Sequence, residues 1–156
     1  MVKKRHKQKL DEPFVAIYRS VLDSPSFYQM SAYAKALLYD LMGQYKGDNN
    51  GNLTVAFSAL KDKGWRSKTT LWRSEKELIN LKFIHRTRKG HFPSTCSLYA
   101  LTWFKLDESK KFDPEAMATF EYKGYKHKPL VIKPKPLTRN QILKGVLGET
   151  RPLVHH

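Results

Sequence analysis

The sequence is poor in cysteine, in acidic residues and in long hydrophobic runs. Its only cysteine is Cys96, which excludes an intramolecular disulfide and a cysteine-based zinc finger. No segment approaches the ~20 consecutive apolar residues of a transmembrane helix, and no apolar run of signal-peptide length follows the basic residues 1–9. We therefore expect a soluble, cytoplasmic protein that is not inserted in a membrane.

Motifs for catalysis and for metal binding are also missing. The sequence contains no HExxH, P-loop or GxSxG motif. Its six histidines are scattered without metal-ligand spacing. The acid pairs Asp107-Glu108 and Asp113 with Glu115 have no histidine or basic partner of the kind that nuclease chemistry needs. We expect no catalytic activity, no metal site and no cofactor.

Positive charge is abundant and unevenly placed. Lysine and arginine number 29 against 14 acids, which gives a formal net charge of +15. Residues 61–89 alone hold ten of these cations and three acids. Such an excess repels itself in a compact fold, and a polyanionic partner relieves the repulsion. Nucleic acid, an anionic membrane surface and an acidic protein are the candidate partners. The alternative is a basic surface that serves only solubility, but such a surface has no reason to concentrate its charge in one segment.

Hydrophobic periodicity predicts three helices in the middle of the chain. Ser31 is placed to cap the first, whose apolar stripe consists of Ala34, Leu37, Leu38, Leu41, Met42 and Tyr45. The second runs roughly over residues 56–63 and ends at Gly64. Ser67 caps the third, from Lys68 to about Leu81. Its inward residues are predicted to be Leu71, Leu78 and Ile79.

Strand signals surround these helices. Leu53-Thr54-Val55 can form a brief strand, and residues 83–87 and 97–103 are predicted to pair as a hairpin around a loop with Gly90 and Pro93. The order of elements is helix, strand, helix, turn, helix, hairpin. It predicts an α+β fold of the winged helix-turn-helix type, with three helices and a small antiparallel β-hairpin as the wing.

The two ends lack this periodicity. Residues 1–12 are predicted to be a flexible basic arm, residues 13–106 the winged-helix domain, and residues 107–156 a C-terminal extension. In the extension, Asp113-Pro114-Glu115 can begin a helix, and residues 126–136 form a linker rich in lysine and proline. A capping-box pattern at Thr138 opens a short helix that ends at about Leu147.

The third helix has the residue types of a DNA recognition helix. A helix fits the major groove when its first turns carry side chains that reach base edges and phosphates. Arg73 is the best candidate for guanine, because its planar guanidinium can donate two hydrogen bonds to O6 and N7. The candidate DNA-binding residues of this region are Arg66, Ser67, Lys68, Thr69, Thr70, Trp72, Arg73 and Lys76.

The hairpin supplies a second group of candidates, which are Arg86, Arg88, Lys89 and His91. These side chains could follow a phosphate backbone or enter the minor groove, and the alternative is a hairpin tip that is merely solvated. Trp72 lies at the border of the apolar stripe. A tryptophan there more often completes the core, and the alternative is stacking on a sugar or base.

Residues 49–108 resemble a family of bacterial winged-helix proteins found on phages, plasmids and prophages, which are related to the N-terminal domains of replication initiators. The shared pattern consists of an Asn50-Gly51 turn, Gly64-Trp65, the helix start Ser67-Lys68-x-Thr70-Leu71, and Leu98-Tyr99-Ala100-x-Thr102-Trp103 after the hairpin. The resemblance implies DNA binding in the bacterial cytoplasm or nucleoid. Residues 109–156 match no pattern of the family.

Two partners follow from these interpretations. The first is double-stranded DNA, bound sequence-specifically in transcriptional regulation or in replication-origin recognition of a phage or plasmid. The alternative is a host or phage protein, bound by an adaptor through the C-terminal tail, with the winged helix as a scaffold. RNA is a weaker candidate because the sequence has no stacking-platform motif. The oligomeric state stays open, with a dimer on DNA as one option.

Overall fold

A computed structural model describes residues 12–91 and 93–127, and these residues form an α+β fold. The three central helices and the hairpin follow in the predicted order, and short helices precede and follow them. The elements follow in the order α1 (Arg19–Leu22), α2 (Pro25–Gln29), α3 (Ala32–Gln44), α4 (Phe57–Leu60), α5 (Lys68–Asn80), β1 (Ile84–Arg88), β2 (Leu98–Leu101) and α6 (Ala116–Thr119). Single 3-10 turns at Lys61–Lys63 and Gly124–Lys126 follow α4 and α6.

The two long helices, α3 and α5, pack against each other. Both predicted caps are confirmed: the Ser31 hydroxyl accepts the Ala34 N–H, and the Ser67 hydroxyl accepts the Thr70 N–H. Most of the predicted inward residues are buried, whereas Tyr45 and Ile79 are only half-buried. The buried apolar residues are Ala34, Leu37, Leu38, Leu41 and Met42 of α3 with Leu71 and Leu78 of α5. Burial of these facing stripes is what holds the helix pair together.

A hydrogen-bonded contact at each end makes the pair antiparallel. Ser31, before α3, donates its N–H and its hydroxyl to the carboxylate of Glu77, near the end of α5, at 2.6 and 2.7 Å. At the other end, Trp65 Nε1 donates to Asp40 Oδ2 at 2.7 Å. Gly64, just before this tryptophan, has a φ of +96°, a left-handed conformation that glycine adopts without a steric penalty.

The strands β1 and β2 form an antiparallel hairpin with a bulge between Arg86 and Arg88. They begin one residue later than predicted, and β2 ends at Leu101. The segment Leu53-Thr54-Val55 contributes a single bridge, from Leu53 to Tyr99, where we expected a short strand. The buried side chain of Asn50, just before it, takes the pairing positions at the end of β2, because it donates to the carbonyls of Leu101 and Lys105 and accepts the Leu101 N–H.

The packed part of the chain continues past residue 106, where we expected the domain to end. Tyr125 is fully buried, and its ring stacks on Phe83 with centroids 5.5 Å apart. Its hydroxyl lies 3.2 Å from the Ser20 hydroxyl, and its carbonyl accepts the Ser26 hydroxyl. The chain returns from the hairpin to the first two helices, so residues 107–127 complete the core.

The returning segment also contacts β1. The Ala116 carbonyl lies 3.1 Å from His85 Nε2, and burial lowers the pKa of this histidine. Helix α6 begins at Ala116, later than the start predicted at Asp113-Pro114-Glu115, because Asp113 instead accepts the Lys89 N–H with its side chain. Asp113 therefore ties this segment to the hairpin and does not cap a helix.

Several predicted features lie outside the described residues: arm residues 1–11, most of the 126–136 linker and the helix from Thr138 to about Leu147. Within residues 12–91 and 93–127, no helix is long and apolar enough to cross a bilayer. The same residues contain no group of three or more His, Cys, Asp or Glu side chains that could hold a metal ion.

Tyr125→Ala should lower the free energy of unfolding by about 3–5 kcal/mol, because it removes a fully buried ring and leaves a cavity beside Phe83. Tyr122→Ala is the matched control, since Tyr122 is 50% exposed three residues away and should cost less than about 1 kcal/mol. Chemical denaturation of the full chain measures both. Equal midpoints for the two variants would mean that residues 107–127 do not belong to the core.

Candidate nucleic-acid interface

Helix α5 presents a polar face away from the core. At about 100° per residue, Thr69, Arg73, Lys76 and Asn80 are predicted to lie opposite the buried stripe. All four are exposed in the structure. The orientation predicted for this helix is therefore confirmed, and its outward face carries hydrogen-bond donors and positive charge.

The two acids of α5 do not lie on this face. Glu75 accepts the Tyr99 hydroxyl at 2.6 Å, across to β2, and Glu77 accepts both hydrogen bonds from Ser31. Burial, together with this hydrogen bond to Glu75, raises the pKa of Tyr99, so the phenol remains a neutral donor. Because both carboxylates are bound at the borders of the helix, they leave the outward face without a negative group.

The cations around α5 keep their charge available. Within the described residues the ion pairs are Lys63 with Asp40 and Lys82 with Glu121, and neither includes a cation of the outward face. Lys68 lies 5.6 Å from the ring centroid of Phe57, and Lys76 lies 5.7 Å from that of Trp72. Contacts of this kind orient an ammonium group without neutralising it.

The start of α5 holds the other predicted residues of this region. Arg66, Ser67, Lys68 and Thr69 are exposed, whereas Thr70 is half-buried. The Ser67 oxygen accepts the Thr70 N–H as the helix cap, so the hydroxyl hydrogen is what remains for an external acceptor. Positive side chains and a hydroxyl donor thus converge where the helix begins.

Trp72 is not part of the core, which corrects the more common interpretation of a tryptophan at the border of an apolar stripe. Its side chain is 55% exposed. The buried stripe of α5 is completed by the small Ser74, whose hydroxyl donates to the Thr70 carbonyl inside the helix. The stripe is therefore narrower than we expected, and the indole is left beside Arg73 and Lys76.

The hairpin residues divide into two groups. Arg86, Lys89 and His91 are exposed, as predicted for a charged hairpin edge. Arg88 is half-buried, and its guanidinium donates to the Cys96 carbonyl at 2.8 and 3.2 Å, across the hairpin. The side chain of Arg88 therefore closes the hairpin and is less available to a ligand than those of its neighbours.

Sequence reasoning missed three residues that shape this surface. Asp113 accepts the Lys89 N–H and fixes the base of the hairpin from residue 113, far along the chain. Tyr33 and Tyr39 of α3 are 64% and 55% exposed and lie beside Arg66. The sequence did indicate that these tyrosines are exposed, because neither falls on the apolar stripe of α3.

Glu77→Ala should lower the free energy of unfolding by about 1–2 kcal/mol, because it removes the acceptor of two hydrogen bonds at the start of α3. Asp62→Ala removes the same charge from an exposed turn and should change stability by less than about 0.5 kcal/mol. Thermal and chemical unfolding of both variants compare them at equal net charge. If Asp62→Ala lowers the free energy of unfolding as much as Glu77→Ala does, the hydrogen bonds between Ser31 and Glu77 do not stabilise the fold.

The chain was compared with protein families, with curated proteins and with solved structures. No family model matches it, and no curated protein or solved structure is significantly similar to it. The function is therefore inferred from the residues, charges and contacts of this surface.

Proposed function

We propose that this protein binds double-stranded DNA sequence-specifically with a winged helix-turn-helix domain, in which α5 is the recognition helix and the β1–β2 hairpin is the wing. The observation that carries the proposal is the outward face of α5, which is basic and free of acids because Glu75 and Glu77 are bound elsewhere. The order α3, Leu53 bridge, α4, glycine turn, α5 and hairpin is consistent with this topology.

The dimensions and chemistry of α5 suit the major groove. An α-helix fits this groove, and side chains on its outward face meet the base edges. In the proposed complex, Arg73 donates two hydrogen bonds to guanine, and Thr69 lies one turn closer to the start of the same face. Lys68 and Lys76, at either end, contact phosphates and set the register without reading sequence.

The hairpin extends the positive surface beyond the helix. Arg86, Lys89 and His91 are exposed, and they would follow the phosphate backbone or enter the adjacent minor groove. The exposed indole of Trp72 would stack on a sugar or a base beside the recognition helix. Asp113 supports this arrangement indirectly, since its hydrogen bond to Lys89 fixes where the wing begins.

For the biological role, we propose transcriptional regulation or replication-origin recognition of a phage or plasmid. The support is the resemblance of residues 49–108 to the winged-helix proteins of such elements. The two roles differ in where the preferred site lies, either in a promoter or in an origin. Fragments of the element's own DNA, selected by repeated binding to the full chain and then sequenced, distinguish between them.

Arg73→Ala should weaken binding to a duplex selected from a random-sequence library by about 1–3 kcal/mol and relax the preference at one or two base pairs. Lys76→Ala should weaken selected and random duplexes alike and lower the slope of log K against log salt by about one. Both side chains are exposed, so neither change should affect folding. Fluorescence anisotropy on both duplexes across a salt series measures these effects.

Lys46→Ala is the matched control. Lys46 is exposed in the turn after α3 and lines a separate cavity with Phe14 and Phe104 that includes no residue of α5. Its loss should leave the salt slope unchanged. The proposal fails if Arg73→Ala and Lys76→Ala bind both duplexes as the unchanged protein does, or if Lys46→Ala lowers the slope as much as Lys76→Ala.

A further inference from the structure

A cavity of about 550 Å³ lies between α3 and the chain that leads into the first turn of α5. The rings of Tyr33 and Tyr39 and the small Ala36 line it on the α3 side. Arg66, Ser67 and Thr70 line it on the α5 side. Pockets for small molecules typically measure about 300–1,000 Å³, so this cavity has the volume for one.

The two tyrosines on the α3 side of the cavity expose most of their rings. Tyr33 and Tyr39 are 64% and 55% exposed, and neither hydroxyl forms a hydrogen bond there. The two tyrosines are six positions apart in α3, which corresponds to about 9 Å along the helix axis. Ala36 lies between them and leaves space that a larger side chain would fill. Two exposed rings on either side of a small residue offer apolar surface to a flat ligand.

The polar side of the cavity is positively charged. Its one acid, Asp40, is already satisfied, because its carboxylate accepts the indole N–H of Trp65 at 2.7 Å and lies 3.7 Å from Lys63 Nζ. Arg66 has no ion pair within the described residues. Its guanidinium can donate two parallel hydrogen bonds to a phosphate, and the Ser67 hydroxyl can add another.

We propose that this cavity binds a nucleoside monophosphate. The base lies against Tyr39 and Tyr33, and the phosphate accepts hydrogen bonds from Arg66 and Ser67. A nucleotide meets both demands at once, since it joins a planar aromatic ring to a dianion. An apolar ligand would leave Arg66 unpaired, and inorganic phosphate would leave the two rings uncovered.

Occupancy of the cavity has a consequence for DNA binding, and this consequence rests on the proposed function. Arg66, Ser67 and Thr70 line the cavity and are also among the candidate DNA-binding residues that the sequence indicates. A bound nucleotide would use the guanidinium of Arg66 and bring a negative charge to the start of α5. It should therefore weaken duplex binding, and the duplex should weaken nucleotide binding by the same factor.

Isothermal titration of the full chain without DNA tests the cavity separately. The probes are AMP, GMP, CMP and UMP, with adenosine and inorganic phosphate as partial ligands. At least one nucleotide should bind one-to-one with a Kd below about 1 mM, and both partial ligands should bind at least about tenfold more weakly. Tyr39→Ala and Arg66→Ala should each weaken that nucleotide at least about fivefold, as loss of a stacking or phosphate contact requires.

The controls are a tyrosine and an arginine that do not line the cavity. Tyr28→Ala removes a 68% exposed ring, Arg19→Ala removes an exposed cation of α1, and neither should change the nucleotide Kd. The inference is overturned if no nucleotide binds, if inorganic phosphate binds as tightly as the nucleotide, or if a control variant weakens binding as much as Tyr39→Ala. Duplex binding that persists with any of these results leaves the proposed function intact.

Discussion

The antiparallel packing of α3 on α5 sets the orientation of the charged helix, and the rest of the surface depends on that orientation. Apolar stripes hold the two helices face to face, and a hydrogen-bonded contact closes the pair at each end. Ser31 binds Glu77 at one end, and Asp40 binds Trp65 at the other. Rotating α5 by a single residue, about 100°, would carry Glu77 away from Ser31 and change the direction in which Arg73 and Lys76 point.

The hydrogen bonds of Glu75 and Glu77 also keep the acids of α5 away from its cations. A net charge of +15 disfavours a compact chain, and pairing each cation with a nearby acid would reduce that cost. In α5 such pairs do not form within the described residues, because Glu75 binds Tyr99 and Glu77 binds Ser31. The repulsion that remains is what a phosphate backbone would relieve, with release of counterions as an added driving force.

Local rules predicted the centre of the fold well. The caps Ser31 and Ser67 and the stripes behind them depend on neighbours within a few positions, so the sequence alone locates both helices and the face that each buries. The outward position of Arg73 and Lys76 follows from the same periodicity.

Features that depend on distant partners could not be predicted in this way. Tyr125 is buried because it meets Phe83 and Ser20, and nothing in the lysine-rich segment around it indicates those contacts. Trp72 is exposed because Ser74 completes the buried stripe. Hydrophobic periodicity does not detect a polar residue in a buried position. Arg88 has the same local pattern as Arg86, but only Arg88 faces Cys96 across the hairpin.

The central claim is that α5 and the hairpin together form the DNA-binding surface. The most direct test is the amide spectrum of the ¹⁵N-labelled full chain, recorded as a selected duplex is added at moderate salt. The account predicts that the largest changes fall within residues 66–76 and 86–91, whereas Lys46 and Tyr122 stay unchanged. Changes confined to residues 107–127 or to the tyrosines of α3, with residues 66–76 unaffected, would contradict it.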